Sequence, residues 1–222
     1  MDPVRIIEVK KSILFNNDKK AVSIRETLHK EKTFLLNLMS SPGSGKTSLI
    51  LQTIEQLRNE FKMGILEADI DSAVDAERIQ EVGIPAIQLR TGGMCHLDAG
   101  MTEIGLKELG TAEMDLVIVE NVGNLVCTAD FDIGAVRNAM ILSVPEGDDK
   151  PLKYPLMFST ADVLLVNKID YLSIADFDMS LLKERVYGLN PDITIIEVSA
   201  KTGEGMEKWA NWLRKEIKEW SK

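Results

Sequence analysis

The chain has 222 residues, of which 26 are Lys or Arg and 35 are Asp or Glu, so its formal net charge is −9. This length predicts a single domain of ordinary size, and the acidic charge disfavours a broad surface for nucleic acid or anionic lipid. A composition of 45% hydrophobic and 27% charged residues is typical of a soluble globular protein and argues against a disordered tail and against collagen-like or membrane classes.

Cysteine and histidine are scarce, with two of each in the whole chain. Two thiols cannot form a disulfide framework, which indicates a reducing compartment. No apolar run approaches the roughly 18 residues that a membrane helix needs, and the mixed charges of the N-terminus do not resemble a secretory signal. We therefore expect a cytoplasmic protein that binds neither a membrane nor nucleic acid.

Seven short apolar runs, most of them separated by helix-compatible stretches, have the length and flanks of buried parallel strands. They are Thr33–Met39, Met63–Ile70, Pro85–Leu89, Leu116–Glu120, Ala139–Pro145, Val163–Asn167 and Ile193–Val198. The clearest helix is predicted over Gly205–Trp220, where apolar residues recur at helical spacing. This alternation predicts an α/β fold, with a mostly parallel sheet covered by helices on both faces.

The segment before the first strand is predicted to be helical. We expect residues 1–32 to form an N-terminal helical extension and residues 33–222 to form one larger domain. The apolar side of the extension would be made of Ile6, Val9, Ile13 and Leu14.

A glycine-rich turn follows the first strand and precedes a helix predicted over Ser48–Glu60. It reads Ser40-Ser41-Pro42-Gly43-Ser44-Gly45-Lys46-Thr47, with Ser40 where the P-loop consensus has glycine. Backbone N–H groups and a helix N-terminus in this arrangement cradle phosphate oxygens, while the lysine reaches the β- and γ-phosphates and the threonine hydroxyl binds Mg²⁺. An incidental glycine-rich turn is the alternative. The predicted phosphate-binding residues are Gly43, Ser44, Gly45, Lys46, Thr47 and Ser48.

The base is indicated by Asn167-Lys168-Ile169-Asp170, which follows the sixth strand. The Asp170 carboxylate can accept hydrogen bonds from guanine N1–H and the N2 amine, and adenine offers neither donor there. The alkyl stem of Lys168 can lie across the base, and Asn167 can brace the loop. Near the end of the next strand, Ser199-Ala200-Lys201 resembles the second base-binding loop of GTPases. Together the two loops predict GTP rather than ATP.

Hydrolysis requires a group that senses the γ-phosphate and a carboxylate that holds the metal. Glu120-Asn121-Val122-Gly123 resembles the D-x-x-G switch of GTPases with Glu in place of Asp, so Gly123 N–H would meet the γ-phosphate and Glu120 would approach Mg²⁺. One of Asp69, Asp71 and Asp75 is expected to be a further ligand of Mg²⁺ or its water, with Asp69 and Asp75 as the leading candidates. A solvated, helix-capping loop is the alternative for these three. The predicted catalytic residues are Lys46, Asp75 and Glu120.

Cys95 and His96 are adjacent, and Cys127 lies seven residues beyond Glu120. Both cysteines are expected on loops at the nucleotide-binding edge of the sheet. Thiolate and imidazole suit Ni²⁺ or Zn²⁺ far better than Mg²⁺, and water or a symmetry-related chain would have to complete a three-ligand site. The alternative is one buried free cysteine and one exposed dipeptide, because free cysteine is often part of a core.

Six motifs, spread over roughly residues 34 to 202, form a specific combination. They are Ser41-Pro42-Gly43-Ser44-Gly45-Lys46-Thr47, Asp75-Ala76-Glu77-Arg78, Cys95-His96-Leu97-Asp98, Glu120-Asn121-Val122-Gly123-Asn124-Leu125-Val126-Cys127, Glu146-Gly147-Asp148-Asp149-Lys150 and Asn167-Lys168-Ile169-Asp170. In these motifs the chain resembles the HypB family, the nickel-incorporation GTPases of hydrogenase maturation within the SIMIBI group of P-loop GTPases.

The resemblance implies that residues 33–222 are a GTPase domain with a metal site formed by Cys95, His96 and Cys127. It further implies GTP-dependent homodimerisation and delivery of nickel to the precursor of a [NiFe]-hydrogenase large subunit, with a HypA-type metallochaperone as partner. The implied cofactors are GTP, Mg²⁺ and either Ni²⁺ or Zn²⁺. The N-terminal cysteine motif or His-rich tract of some family members is not found in residues 1–30, and Gly93-Met94 departs from the more usual Gly-Lys before the cysteine.

Three other functions remain open at this point. A related SIMIBI GTPase could serve urease or a cobalamin-dependent mutase, although the urease protein is expected to carry Cys-Pro-His. An ATP-dependent phosphotransferase is disfavoured by Asn167-Lys168-Ile169-Asp170. A metal-storage module without turnover is disfavoured because the chain has no cysteine cluster and no histidine tract.

Overall fold

The computed structural model describes residues 9–69 and 74–222, and of residues 9–13, 69 and 74–77 it describes the backbone alone. Ile6 and Asp71 therefore lie outside the described residues. In chain order the helices and strands are α1 Val9–Glu31, β1 Phe34–Ser40, α2 Lys46–Leu57, β2 Met63–Asp69, α3 Val74–Glu81, β3 Ala86–Arg90, α4 Ala99–Leu109, β4 Leu116–Glu120, α5 Cys127–Asp130, β5 Arg137–Ser143, α6 Lys150–Lys153, α7 Pro155–Thr160, β6 Val163–Asn167, α8 Met179–Leu189, β7 Thr194–Glu197 and α9 Met206–Trp220.

The predicted α/β fold is confirmed. Across the described ranges, seven strands form one sheet in the order β3-β2-β4-β1-β5-β6-β7, and every neighbouring pair is parallel. Each predicted apolar run corresponds to one strand, within two residues at either end. Continuous apolar runs mark these strands because helices bury both faces of the sheet.

The helix after the glycine-rich turn differs in its bounds from the prediction. It begins at Lys46, two residues before the expected Ser48, and ends at Leu57 rather than Glu60. Gly45 is its N-cap with φ +99°, a left-handed conformation that glycine adopts without a Cβ penalty, so the helix begins directly after it. Gly205, at φ +75°, precedes the start of α9 in the same way.

The core is divided between the two faces of the sheet. On one face, α2 and α9 pack against alternate residues of β1, such as Leu36 and Leu38. On the other face, α1 and α4 pack against Leu35, while α7 and α8 pack around Met39 further along the same strand. This division follows from the alternation of side chains along a strand.

Helix α1 packs on the second of these faces, the one that contains Leu35. Its residues Ala21, Ile24 and Leu28 are buried in the same cluster as Leu35 of β1 and Leu106 of α4. The described part of residues 1–32 thus shares a core with the larger domain, and the boundary at residue 32 stays a prediction. None of the helices in the described ranges is both long enough and apolar enough to cross a membrane.

We predict that Trp209→Ala lowers the free energy of unfolding by about 3–5 kcal/mol, the usual cost of removing a large buried aromatic side chain. Trp209 is 1% exposed, its indole N–H donates to Thr53 Oγ1 at 2.9 Å, and its ring stacks on Trp212. Urea unfolding curves measure the effect. The control is Tyr187→Ala on α8, an exposed aromatic that should change the free energy by about 0.5 kcal/mol or less. Equal effects of the two substitutions would contradict this account of the core.

Candidate nucleotide and metal site

The predicted functional segments meet at one edge of the sheet. The glycine-rich turn follows β1, the Cys95-His96 loop follows β3, the Glu120–Gly123 segment follows β4, and the base-binding loops follow β6 and β7. Because all the strands are parallel, their carboxyl ends lie at the same edge, which is where open α/β sheets bind ligands.

Ser40 is the centre of the hydrogen bonds within the glycine-rich turn. Its buried hydroxyl accepts from Ser44 Oγ at 2.6 Å and from Lys46 Nζ at 3.1 Å, and it donates to the carbonyl of Ser41 at 2.7 Å. Serine in place of the consensus glycine therefore adds a polar group that holds the loop and orients the lysine. Gly43 has φ +74°, again in the left-handed region.

The Glu120–Gly123 segment lies directly against this turn. Thr47 Oγ1 donates to Glu120 Oε1 at 3.0 Å, and Glu120 is 3% exposed. A Cβ built on Gly123 would lie only 3.0 Å from the backbone nitrogen of Pro42, so a larger residue could not approach the turn this closely. The hydroxyl and carboxylate oxygens brought together here are the donor types that Mg²⁺ prefers.

The two base-binding loops are tied to the glycine-rich turn by Asn167, which is almost fully buried. Its Nδ2 donates to the carbonyl of Ser44 at 2.9 Å, and its Oδ1 accepts from Ala200 N–H at 3.1 Å. Gly45 is required next to it, because a Cβ there would lie 2.7 Å from Asn167 Nδ2. The bracing role expected for this asparagine is thus a direct contact with the phosphate loop.

The side chains expected to contact the base lie on these two loops. Lys168, at φ +61°, donates from Nζ to the carbonyl of Gly43 at 2.7 Å, so its alkyl stem extends toward the turn. Ser199 Oγ donates to Asp170 Oδ1 at 2.7 Å, which orients the carboxylate. Lys201 is exposed, as is Ser48 in the first turn of α2.

The three candidate metal ligands come together although β3 and β4 are not adjacent strands. The Sγ atoms of Cys95 and Cys127 are 2.7 Å apart and share a hydrogen bond, and Cys95 Sγ is 3.9 Å from His96 Nδ1. The ligand atoms of the three residues all lie within 4.8 Å of one another, and both cysteines are free thiols. Two sulfurs and one ring nitrogen form a partly buried set suited to Ni²⁺ or Zn²⁺.

Protonation of this cluster follows from its surroundings. Burial lowers the pKa of His96, with Asp98 and Asp130 acting in the opposite direction, so the imidazole is neutral near pH 7. The hydrogen bond with Cys95, together with burial and the charge of Asp130, raises the pKa of Cys127. A metal ion must therefore displace a proton when it binds this thiol.

Two neighbours of the cluster were missed by the sequence reasoning. Asn124 Oδ1 accepts from Cys127 N–H at 2.9 Å and from Val126 N–H at 2.7 Å, which fixes the start of α5. The ring of Phe131 stacks on His96 with 3.9 Å between the ring centroids. Asn124 could have been found as an asparagine three residues before a helix start, whereas the Phe131 contact left no signal in the sequence.

The acidic residues after β2 are only partly described. Asp69 ends β2 and Asp75 lies in the first turn of α3, but their side chains are outside the described residues, as is all of Asp71. A cavity of about 1290 Å³ lies at the opposite edge of the sheet, beside Met63, Pro85 and Asp115 at or next to the starts of β2, β3 and β4. None of the predicted site residues lines it.

The comparisons with known proteins identify the family of this chain. A family model described as "CobW/HypB/UreG, nucleotide-binding domain" matches residues 34–197. The hydrogenase maturation factor HypB of Azotobacter vinelandii is 46% identical over 212 residues, covering 96% of this chain and 70% of that protein. The hydrogenase/urease maturation factor HypB of Helicobacter pylori strain J99 is 41% identical over 217 residues, covering 96% of this chain and 89% of that protein.

A solved structure is similar over almost the whole chain. The crystal structure of HypB from Helicobacter pylori in complex with nickel superposes with a TM-score of 0.86 at 41% identity, covering 92% of this chain and 96% of that one. The extent of the sequence match and the agreement of the folds lead to one conclusion. The chain belongs to the CobW/HypB/UreG family of P-loop nucleotide-binding proteins, within its HypB branch.

Proposed function

We propose that the protein is a GTP-hydrolysing metallochaperone that helps deliver nickel to the precursor of a [NiFe]-hydrogenase large subunit. The observation that carries the proposal is the hydrogen bond from Thr47 to Glu120, because the segment that begins at Glu120 ends at the thiol of Cys127. A nucleotide-responsive element and a metal ligand thus belong to one short stretch of chain. Order–disorder switching by a γ-phosphate is a general way to convert hydrolysis into movement.

In the proposed reaction, water attacks the γ-phosphate of GTP and releases GDP and phosphate. Lys46 would exchange its hydrogen bond with Ser40 for one with the β- and γ-phosphate oxygens, and Gly123 N–H would contact the γ-phosphate. Thr47 and Glu120 would hold Mg²⁺, with Asp69 or Asp75 as a further ligand of the ion or its water, and the bound ion would neutralise charge on the phosphates. Asp75 and Glu120 are the candidates for positioning the attacking water.

Nickel is the cargo in this proposal, held by Cys95, His96 and Cys127, and Zn²⁺ is accepted by the same donor set. Three ligands per chain leave a four-coordinate site incomplete, which favours completion by water or by a second copy of the chain. We propose a GTP-dependent homodimer that receives or transfers the metal with a HypA-type metallochaperone. The second candidate function is delivery of nickel to urease in addition to hydrogenase, since the Helicobacter pylori relative is named a hydrogenase/urease maturation factor.

We predict that Asp170→Ala abolishes the preference for GTP over ATP and weakens GTP binding about 100-fold or more. Two hydrogen bonds from the base to a carboxylate are lost, and each is worth about 1.5–3 kcal/mol. Competition of unlabelled GTP and ATP against a fluorescent guanine nucleotide measures the effect. The control is Asp176→Asn, which removes a charge from an exposed position in the same loop and should leave the preference intact. A variant that still discriminates the bases would remove Asp170 from the site.

We predict that Cys127→Ser weakens nickel binding about 100-fold or more and leaves the affinity for GTP analogues unchanged, because a hydroxyl is a poor replacement for a thiolate ligand. Nickel titration followed by thiolate-to-metal absorption measures the change. Val126→Ser, at the exposed neighbouring position, is the matched control. Undiminished nickel binding by a folded Cys127→Ser protein would exclude this thiol as a ligand.

We predict reciprocal coupling between nucleotide and metal. Exchange of GDP for a non-hydrolysable GTP analogue should change the nickel affinity by a factor in the range of about 5–150, and nickel should change the relative affinity for the two nucleotides by the same factor. Calorimetric titrations around the full cycle measure both. Identical nickel affinities with the two nucleotides, in monomer and dimer alike, would contradict a mechanism in which GTP controls the metal.

A further inference from the structure

The two halves of the metal cluster lie on separate segments of chain. Cys95 and His96 precede α4, which begins at Ala99, whereas Cys127 begins α5 and is followed by residues 131–136 that lead into β5. The strands that flank these segments, β3 and β5, are separated by three other strands, so the sheet does not pair the two segments directly and side-chain contacts join them instead.

One buried side chain of α1 touches both segments. Asn17 Oδ1 accepts from the backbone N–H of Ala99 at 2.8 Å, and Asn17 Nδ2 donates to the backbone carbonyl of Asp132 at 2.8 Å. Asn17 is 9% exposed and Ala99 is fully buried, so water does not readily replace these hydrogen bonds. The bond to Ala99 also satisfies one of the N–H groups that the first turn of α4 leaves without a helical partner.

The second of these contacts is close to the imidazole of His96. Phe131, whose ring stacks on His96, directly precedes Asp132. Arg25, two turns further along α1, donates to both carboxylate oxygens of Asp132 at 2.8 and 2.5 Å and to the carbonyl of Ala135 at 3.1 Å. Residues 131–135 are therefore held against α1 at several points, and Asn17 is the one of these α1 side chains that also reaches the start of α4.

We propose that Asn17 is a positioning residue for the metal cluster, which sets the separation of the Cys95-His96 segment from the Cys127 segment. The inference rests on the proposed function, since it concerns the same nickel site. A short amide is suited to the task because it offers a donor and an acceptor at once. Aspartate at this position would place a carboxylate against the Asp132 carbonyl, and leucine would leave both backbone groups without a partner.

The anchoring has a consequence for movement of the site. With Ala99 and Asp132 both bound to one side chain, displacement of Cys127 is confined to the chain between Glu120 and Phe131. A movement of the Cys127 thiol caused by nucleotide would then take place relative to a Cys95-His96 segment that is held at Ala99.

The test compares Asn17→Leu and Asn17→Asp with the wild-type full chain in titrations with Ni²⁺ alone. Groups that orient metal ligands typically contribute 10–100-fold in metal affinity. We therefore expect Asn17→Leu to bind nickel at least about tenfold more weakly, with Asn17→Asp in between because it keeps the acceptor for Ala99 N–H. The thiolate-to-nickel absorption band should also change in position or intensity, which reports ligand geometry directly.

The control is Lys20→Ala on the same helix. It removes the 3.0 Å ion pair of Lys20 with Glu103 of α4, a contact between the same two helices that does not touch the metal-binding segments. Nickel affinity, the absorption band and the affinity for a GTP analogue should remain as in the wild type. In Asn17→Leu the nucleotide affinity should stay within about twofold of the wild type, whereas general damage to the fold would lower both affinities.

The outcomes separate this inference from the proposed function. If the wild type binds nickel through Cys127 and Asn17→Leu does so with the same affinity and absorption band, the positioning role is overturned and the proposed function stands. If the wild type binds no nickel, or if Cys127→Ser binds it equally well, both are overturned. Where Asn17→Leu does not fold, Asn17→Asp alone decides: wild-type affinity and spectrum would overturn the inference.

Discussion

The register between β1 and β4 is the constraint on which the site depends. The strands pair so that Leu38 lies opposite Glu120, and Leu36 lies opposite Ile118. Side chains alternate between the faces of a strand, so a slip of one residue would exchange the two faces and turn the Glu120 carboxylate away from Thr47. The hydrogen bond between the phosphate loop and the segment leading to Cys127 therefore depends on this register.

Asparagine side chains reinforce this register across three central strands. Asn121 Nδ2 donates to Asn37 Oδ1 at 3.0 Å, and Asn37 Nδ2 donates to Asn138 Oδ1 at 3.0 Å, which joins the segment after β4 to β1 and then to β5. Asn37 and Asn121 are buried, and a buried amide without partners costs about 1–3 kcal/mol, so an altered register would be penalised at both residues. Asn121 Oδ1 also accepts from Leu97 N–H at 3.4 Å, and the network thereby reaches the residue after His96.

Local features of the sequence were sufficient to predict the strands and the glycine-rich turn between β1 and α2, because strand hydrophobicity and glycine-rich turns are encoded over a few residues. The base-binding role of the loops after β6 and β7 stays a prediction. Contacts made by residues outside the recognised motifs were not predicted. Asn17 forms hydrogen bonds with Ala99 and Asp132, which are 82 and 115 residues away in sequence, and no periodic pattern in the sequence indicates such a contact. The role of Ser40 was also missed. The consensus residue at this position is glycine, which has no side chain, so the consensus gives no indication of the hydrogen bonds that the Ser40 hydroxyl makes.

A chaperone must bind its cargo firmly enough to carry it and release it to a recipient, so a permanently rigid ligand set would be unsuitable. In the proposed site the two halves differ in this respect. Both halves adjoin segments that are held by α1, but Cys127 also ends the segment that touches the phosphate loop through Glu120 and Gly123. A coupling of about 1–3 kcal/mol between nucleotide and metal is enough to change the metal affinity 5–150-fold. The pKa of Cys127 is raised by its hydrogen bond with Cys95 and by burial, so in the metal-free site this thiol carries a proton that an incoming metal ion must displace.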